Sequence, residues 1–63
     1  MKINGEVSTD FSGTVAGLLA YRRVSTRGVA VAVNGEIVPR SEWDKTVVPE
    51  GADIEIVTAA AGG

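Results

Sequence analysis

The chain has 63 residues, with six Lys/Arg against eight Asp/Glu for a formal charge of −2. That length supports one core and no second domain, and the charge balance argues against a dedicated nucleic-acid binder. With no cysteine and no histidine, a disulfide framework, a thiolate metal site and an imidazole proton shuttle are all excluded.

Ordering so short a chain costs about 1.5 kcal/mol per residue, which nearly cancels the return from apolar burial. A deep catalytic cleft is therefore not expected. No stretch reaches the length of a membrane span, and Met1-Lys2 is not followed by a signal-peptide apolar core. The expectation is a soluble, cytoplasmic domain.

In chain order, "KINGEV" and later "VAVAVNGEIV" each place Asn-Gly between apolar residues. Asn-Gly tolerates two successive positive φ angles, as the tight type I′ hairpin requires, so a hairpin is predicted at Asn4-Gly5 and another at Asn34-Gly35. Between them "TVAGLLAYRR" predicts a helix. Val15, Leu18, Leu19 and Arg22 fall at i, i+3, i+4 and i+7, and three apolar side chains share a face. Thr14 is the expected N-cap, and Gly17 stands where a capping-box Glu would close the return bond. Arg22 and Arg23 are read into the last turn, complementing the helix dipole, and Gly28 breaks the run.

Val29 to Val33 alternates Val with Ala at the period of a strand, with the Val side as core. "VPRSEWDK" predicts a loop with one helical turn, in which Trp43 closes one end of the core. "VVPEGADIEIVT" predicts a short edge strand, a turn at Glu50-Gly51 and a last strand. In that strand Ile54, Ile56 and Thr58 lie on one face, with Glu55 and Val57 on the other. The expected class is α+β: one mixed sheet of four to five strands with one main helix packed across it, the β-grasp arrangement in outline.

The chain closes on "TAAAGG". The expected organisation is a single β-grasp domain over 1–63, with 59–63 a flexible C-terminal tail. A carboxylate is a poor electrophile, and to transfer anything it must first be activated, for instance as a mixed anhydride with AMP. Five extended residues reach about 17 Å at roughly 3.3–3.6 Å each, enough to cross the wall of a partner enzyme. Gly62 and Gly63 carry no side chain to obstruct a narrow channel and relax the backbone limits on bending. Ala59, Ala60 and Ala61 keep the approach slim.

Taken together, "TVAGLL" (Thr14 to Leu19), "AVNGEIVPRSEW" (Ala32 to Trp43), "EGADIEIV" (Glu50 to Val57) and the closing "GG" resemble the small sulfur-carrier proteins of thiamine biosynthesis, the ThiS type. The resemblance covers nearly the whole chain. The first strand opens about two residues shorter than the family's usual one, and the tail is smaller and less polar than many.

The resemblance implies a ubiquitin-like β-grasp fold and a carrier role rather than an enzyme. A ubiquitin-activating-like adenylyltransferase of the ThiF type would adenylate the terminal carboxylate with ATP. A persulfide donor protein would supply sulfur to form a thiocarboxylate, and a ThiG-type thiazole synthase would receive it. Gly63 would be the modified residue, with Gly62, Ala61, Ala60 and Ala59 entering the partners' active sites. No cofactor would be bound by the carrier itself, and no residue of it would be catalytic.

Other readings of the same pattern are the small subunit of molybdopterin synthase, another sulfur carrier, a ubiquitin-like modifier of lysines, or an interaction module. Elsewhere the sequence offers plainer material. Arg22, Arg23 and Arg27 read as a solvated helix end, with steering of an acidic partner as the sharper alternative. Ala30 and Ala32 fit either a flat docking face or tight space under the helix. Tyr21 reads as half-buried packing, and Asp44 and Asp53 as surface charge without metal-ligand spacing.

Overall fold

A computed structural model of the chain describes residues 1–58; the tail expected over 59–63 lies outside the described residues. Both Asn-Gly pairs make the predicted turns. Asn4 and Gly5 have φ of 52° and 84°, and Asn34 and Gly35 have 50° and 87°. The first turn joins β1 (Lys2–Ile3) to β2 (Glu6–Val7), and the second joins β3 (Val29–Val33) to β4 (Glu36–Val38), each pair antiparallel.

One helix, α1 (Val15–Tyr21), lies between the hairpins in the chain. Thr14 caps it as expected, its hydroxyl accepting from the Gly17 amide at 3.2 Å. Two more first-turn amides are met from the loop after β4: Val15 N–H donates to the Thr46 carbonyl, and Ala16 N–H to the Trp43 carbonyl, each at 2.9 Å. Amides that a helix N-terminus leaves without intrahelical partners are thus satisfied here by the local Thr14 cap and by two tertiary contacts.

At the other end the structure corrects the expected boundary. Tyr21 is the last helical residue, so Arg22 and Arg23 stand beyond the last turn. Arg23 adopts the left-handed conformation (φ 56°), and Val24 N–H returns to the Leu19 carbonyl. That is the Schellman pattern of a helix stop, achieved without glycine and five residues before Gly28.

The last strand, β5 (Asp53–Thr58), completes a five-stranded mixed sheet in the order β2-β1-β5-β3-β4. It runs parallel to β1 and antiparallel to β3, with Ile54 opposite both Ile3 and Val33. The chain's end therefore grows from an interior strand of the sheet.

The edge strand expected near Val47 does not join the sheet. Val47 makes only an isolated bridge to Thr14, and the Val48 amide donates to the Gly13 carbonyl at 2.8 Å. Pro49 follows, without an N–H to continue a ladder. One helical turn, Arg40–Glu42, occupies the loop after β4 as predicted.

The core lies between α1 and the Val face of the sheet. Val15, Leu18 and Leu19 are buried against Ile3, Val31, Val33, Val38 and Ile54. Trp43 closes one end at 5% exposure, its indole N–H donating to the Val38 carbonyl at 2.9 Å, which gives a large apolar ring a satisfied polar atom. Ala52 and Val48 complete the cluster.

Candidate functional site

The residues singled out from the sequence as the working end, Ala59, Ala60, Ala61, Gly62 and Gly63, lie outside the described residues. What the structure establishes is the mount from which they leave. β5 pairs with β1 over Asp53 and Ile54 and with β3 from Ile54, opposite Val33, as far as Thr58, opposite Val29, so that Ile54 is held on both sides. The tail is therefore rooted at the end of a strand whose inner residues, Ile54 and Ile56, pack in or against the core.

Two side chains extend that hold where the neighbouring strands turn away. The Ile56 amide donates to Asn4 Oδ1 at 2.7 Å, and the Asp53 amide donates to Asn34 Oδ1 at 2.9 Å. Each asparagine replaces the main-chain carbonyl that its own tight turn has removed from the ladder.

The face of the sheet away from α1 carries Ala30 and Ala32 of β3, Ile37 of β4 and Val57 of β5, with Ala30 opposite Val57 and Ala32 opposite Ile37. Ala30 and Ala32 therefore do not fill space under the helix. Ile37 and Val57 are 70% and 59% exposed. The alternation in the sequence already put Val57 on the face away from Ile54 and Ile56; it gave no sign that β5 would be interior and so lie beside β3.

Tyr21 is exposed rather than half-buried, its ring 5.4 Å from that of Phe11. The arginines part company. Arg22 reaches Ser8 Oγ at 3.3 Å, whereas Arg27 stands two residues before Val29, the partner of Thr58. Arg40, which the sequence reading passed over, donates from its guanidinium to the Thr26 carbonyl and lies over the Trp43 ring at 5.3 Å.

Asp44 and Asp53 are exposed. The one ion pair among the described residues joins the Met1 ammonium to Asp10 Oδ1 at 2.7 Å. The hydrogen bond and charge of that ammonium hold the Asp10 carboxyl below the usual carboxylate value. No described helix is long and apolar enough to cross a membrane.

Against known proteins, the ThiS family model matches residues 1–63. The sulfur carrier protein ThiS of Escherichia coli K12 is 38% identical over 50 residues, 79% of this chain and 76% of that protein. A thiazole synthase of Paramagnetospirillum magneticum is 44% identical over 63 residues, 97% of this chain; the match spans 19% of that protein's length. A crystal structure of a thiamine biosynthesis protein (ThiS) from Geobacter metallireducens superposes with a TM-score of 0.85 at 33% identity, covering 98% of this chain and 96% of the other. A solution structure of a thiamine biosynthesis protein from the same organism gives 0.74 at 32% identity, covering 98% and 85%.

Proposed function

The chain belongs to the ThiS family, the sulfur carriers of thiamine biosynthesis, and from that premise we propose that Gly63 is the atom-carrying residue and that this chain is a cosubstrate acted on by other enzymes. The observation that supports it most is the mount: a core-anchored, interior strand ends at Thr58, five residues before Gly63.

The chemistry follows from the carboxylate. A terminal oxygen attacks the α-phosphorus of ATP held by an activating enzyme, and pyrophosphate leaves with the broken P–O bond. The terminal sulfur of a persulfide then attacks the acyl carbon, forming a C–S bond as AMP departs. A thiol attacks the donor-side sulfur of that acyl disulfide, cleaving the persulfide's original S–S bond to leave a thiocarboxylate and a disulfide on the donor. Throughout, this chain's own residues hold and present; Gly62 and Ala59 to Ala61 keep the approach thin enough for a channel. The cytoplasm, where ATP and thiols are available, is the compartment such a cycle needs.

The thiazole synthase relative carries a segment 44% identical to this chain, which supports a thiazole synthase as the acceptor. The test is to supply the loaded protein to a thiazole synthase and, separately, to a molybdopterin synthase large subunit. Thiazole formation that disappears on deleting Gly62-Gly63 is the expected result. Sulfur transfer to the molybdopterin partner alone would reassign the pathway, and transfer surviving the deletion would overturn the carrier role of Gly63.

A further inference from the structure

Charge is sorted along β5. At the strand's start, Asp53 bonds the Asn34 turn, Glu36 follows that turn, Glu50 precedes Gly51, and Asp10 holds the Met1 ammonium next to β1. These four carboxylates gather where the strand begins and outnumber the two cations there, the Met1 ammonium on Asp10 and Lys2, which pairs opposite Asp53. At its far end, roughly 17 Å away at about 3.3 Å per residue, Thr58 pairs with Val29 and the connection into β3 brings Arg27. Arg40 joins it there: its guanidinium bonds the Thr26 carbonyl, the peptide bond that precedes Arg27. Both arginines are exposed, and among the described residues neither is paired with a carboxylate, the ion pair there being Met1 with Asp10.

The two cations are held differently. Arg40 is fixed by its stack on Trp43 and by the Thr26 bond, so its charge has a set position at small entropic cost. Arg27 is exposed in the connecting loop. On a chain of net charge −2, a cationic end beside the point where the tail departs orients the whole molecule in an external field.

We propose that Arg27 and Arg40 form a cationic collar at the root of the tail, which docks on an acidic rim around the channel of the activating enzyme and so aims the carboxyl end into it. The proposal rests on the carrier reading above. The distance decides between a protein rim and the nucleotide as the collar's counterpart. With five residues extended into a channel, the carboxylate stands about 17 Å from the body, so the arginines meet the channel mouth while the terminus meets ATP. The acidic opposite end would be repelled by the same rim, which disfavours entry in the wrong orientation.

The experiment is ATP–pyrophosphate exchange by the cognate activating enzyme, measured against carrier concentration from low to high salt. Arg27→Glu is expected to raise KM for the carrier roughly tenfold at low salt with kcat unchanged, and Arg27→Lys to stay near wild type, since rim charges act on encounter. Wild-type KM should rise with salt, and that slope should flatten in Arg27→Glu. Glu36→Lys, at the opposite end, should leave KM unchanged or lower it. Because Arg27 is exposed, thermal unfolding of each variant is expected to match wild type, so KM reports docking. Wild-type exchange together with an Arg27→Glu KM equal to wild type would overturn the collar and leave the carrier reading intact. Absence of any wild-type exchange would overturn both.

Discussion

Asn4 and Ile56 stand 52 residues apart in the sequence and are joined by a 2.7 Å hydrogen bond from the Ile56 amide to Asn4 Oδ1. Asn34 does the same for Asp53. Both asparagines thus serve twice, adopting the positive φ of a tight turn and bracing the strand that bears the tail. Glycine at either position would keep the turn and remove the brace. Asn4→Gly and Asn34→Gly are therefore each expected to cost about 1 kcal/mol, the net worth of a hydrogen bond, read by denaturant unfolding. The Ile56 amide should also exchange faster in Asn4→Gly; unchanged exchange there would mean that the brace contributes nothing.

Gly17 lies inside α1 at an ordinary helical φ. A Cβ added there would meet Phe11 Cζ at 3.4 Å and Thr14 Oγ1 at 3.5 Å, normal contact distances. Gly17→Ala should therefore stabilise the protein by about 0.5–1 kcal/mol, because alanine loses less backbone entropy on folding. A rise in thermal midpoint checks this, and a fall would show that the Phe11 ring cannot accommodate the methyl group.

The Met1 ammonium holds the Asp10 carboxyl below its ordinary value. A carboxyl whose pKa is lower folded than unfolded adds stability above the unfolded value, and that stability is lost as pH falls through the folded one. The stability gap between wild type and Asp10→Asn should accordingly be present at neutral pH and close as the solution is acidified below the carboxylate range. Acetylating the Met1 amine should move the Asp10 titration upward in carboxyl NMR. A gap independent of pH would contradict the ion pair.

Much of this arrangement was legible in the sequence. The Asn-Gly pairs encoded both hairpins because their φ requirement is local. Val31 and Val33 declared the buried side of β3 through a period of two, and Val15, Leu18 and Leu19 declared the buried side of α1. What failed to show was non-local. Nothing in "DIEIVT" distinguishes an interior strand from an edge one, since the pairing with β1 joins opposite ends of the chain. The helix stop at Arg23 was hidden because a left-handed arginine looks like any other arginine in the sequence. Arg40 reaches Thr26 only after the second hairpin has folded back.

Gly63→Val should abolish adenylation, because a β-branched side chain narrows the backbone's choices and widens the tip that must enter a channel. Its stability should match wild type within about 0.5 kcal/mol, the range for changes away from the core. Loss of stability together with activity would place the tail among the packed elements and remove it as a free reagent.

The most direct test is the intact mass of the protein after incubation with its activating enzyme, ATP and a persulfide donor. The account predicts a gain equal to sulfur replacing one oxygen, mapped to Gly63 and dependent on ATP. An unchanged mass with a competent partner, or the same gain on another residue, would contradict it.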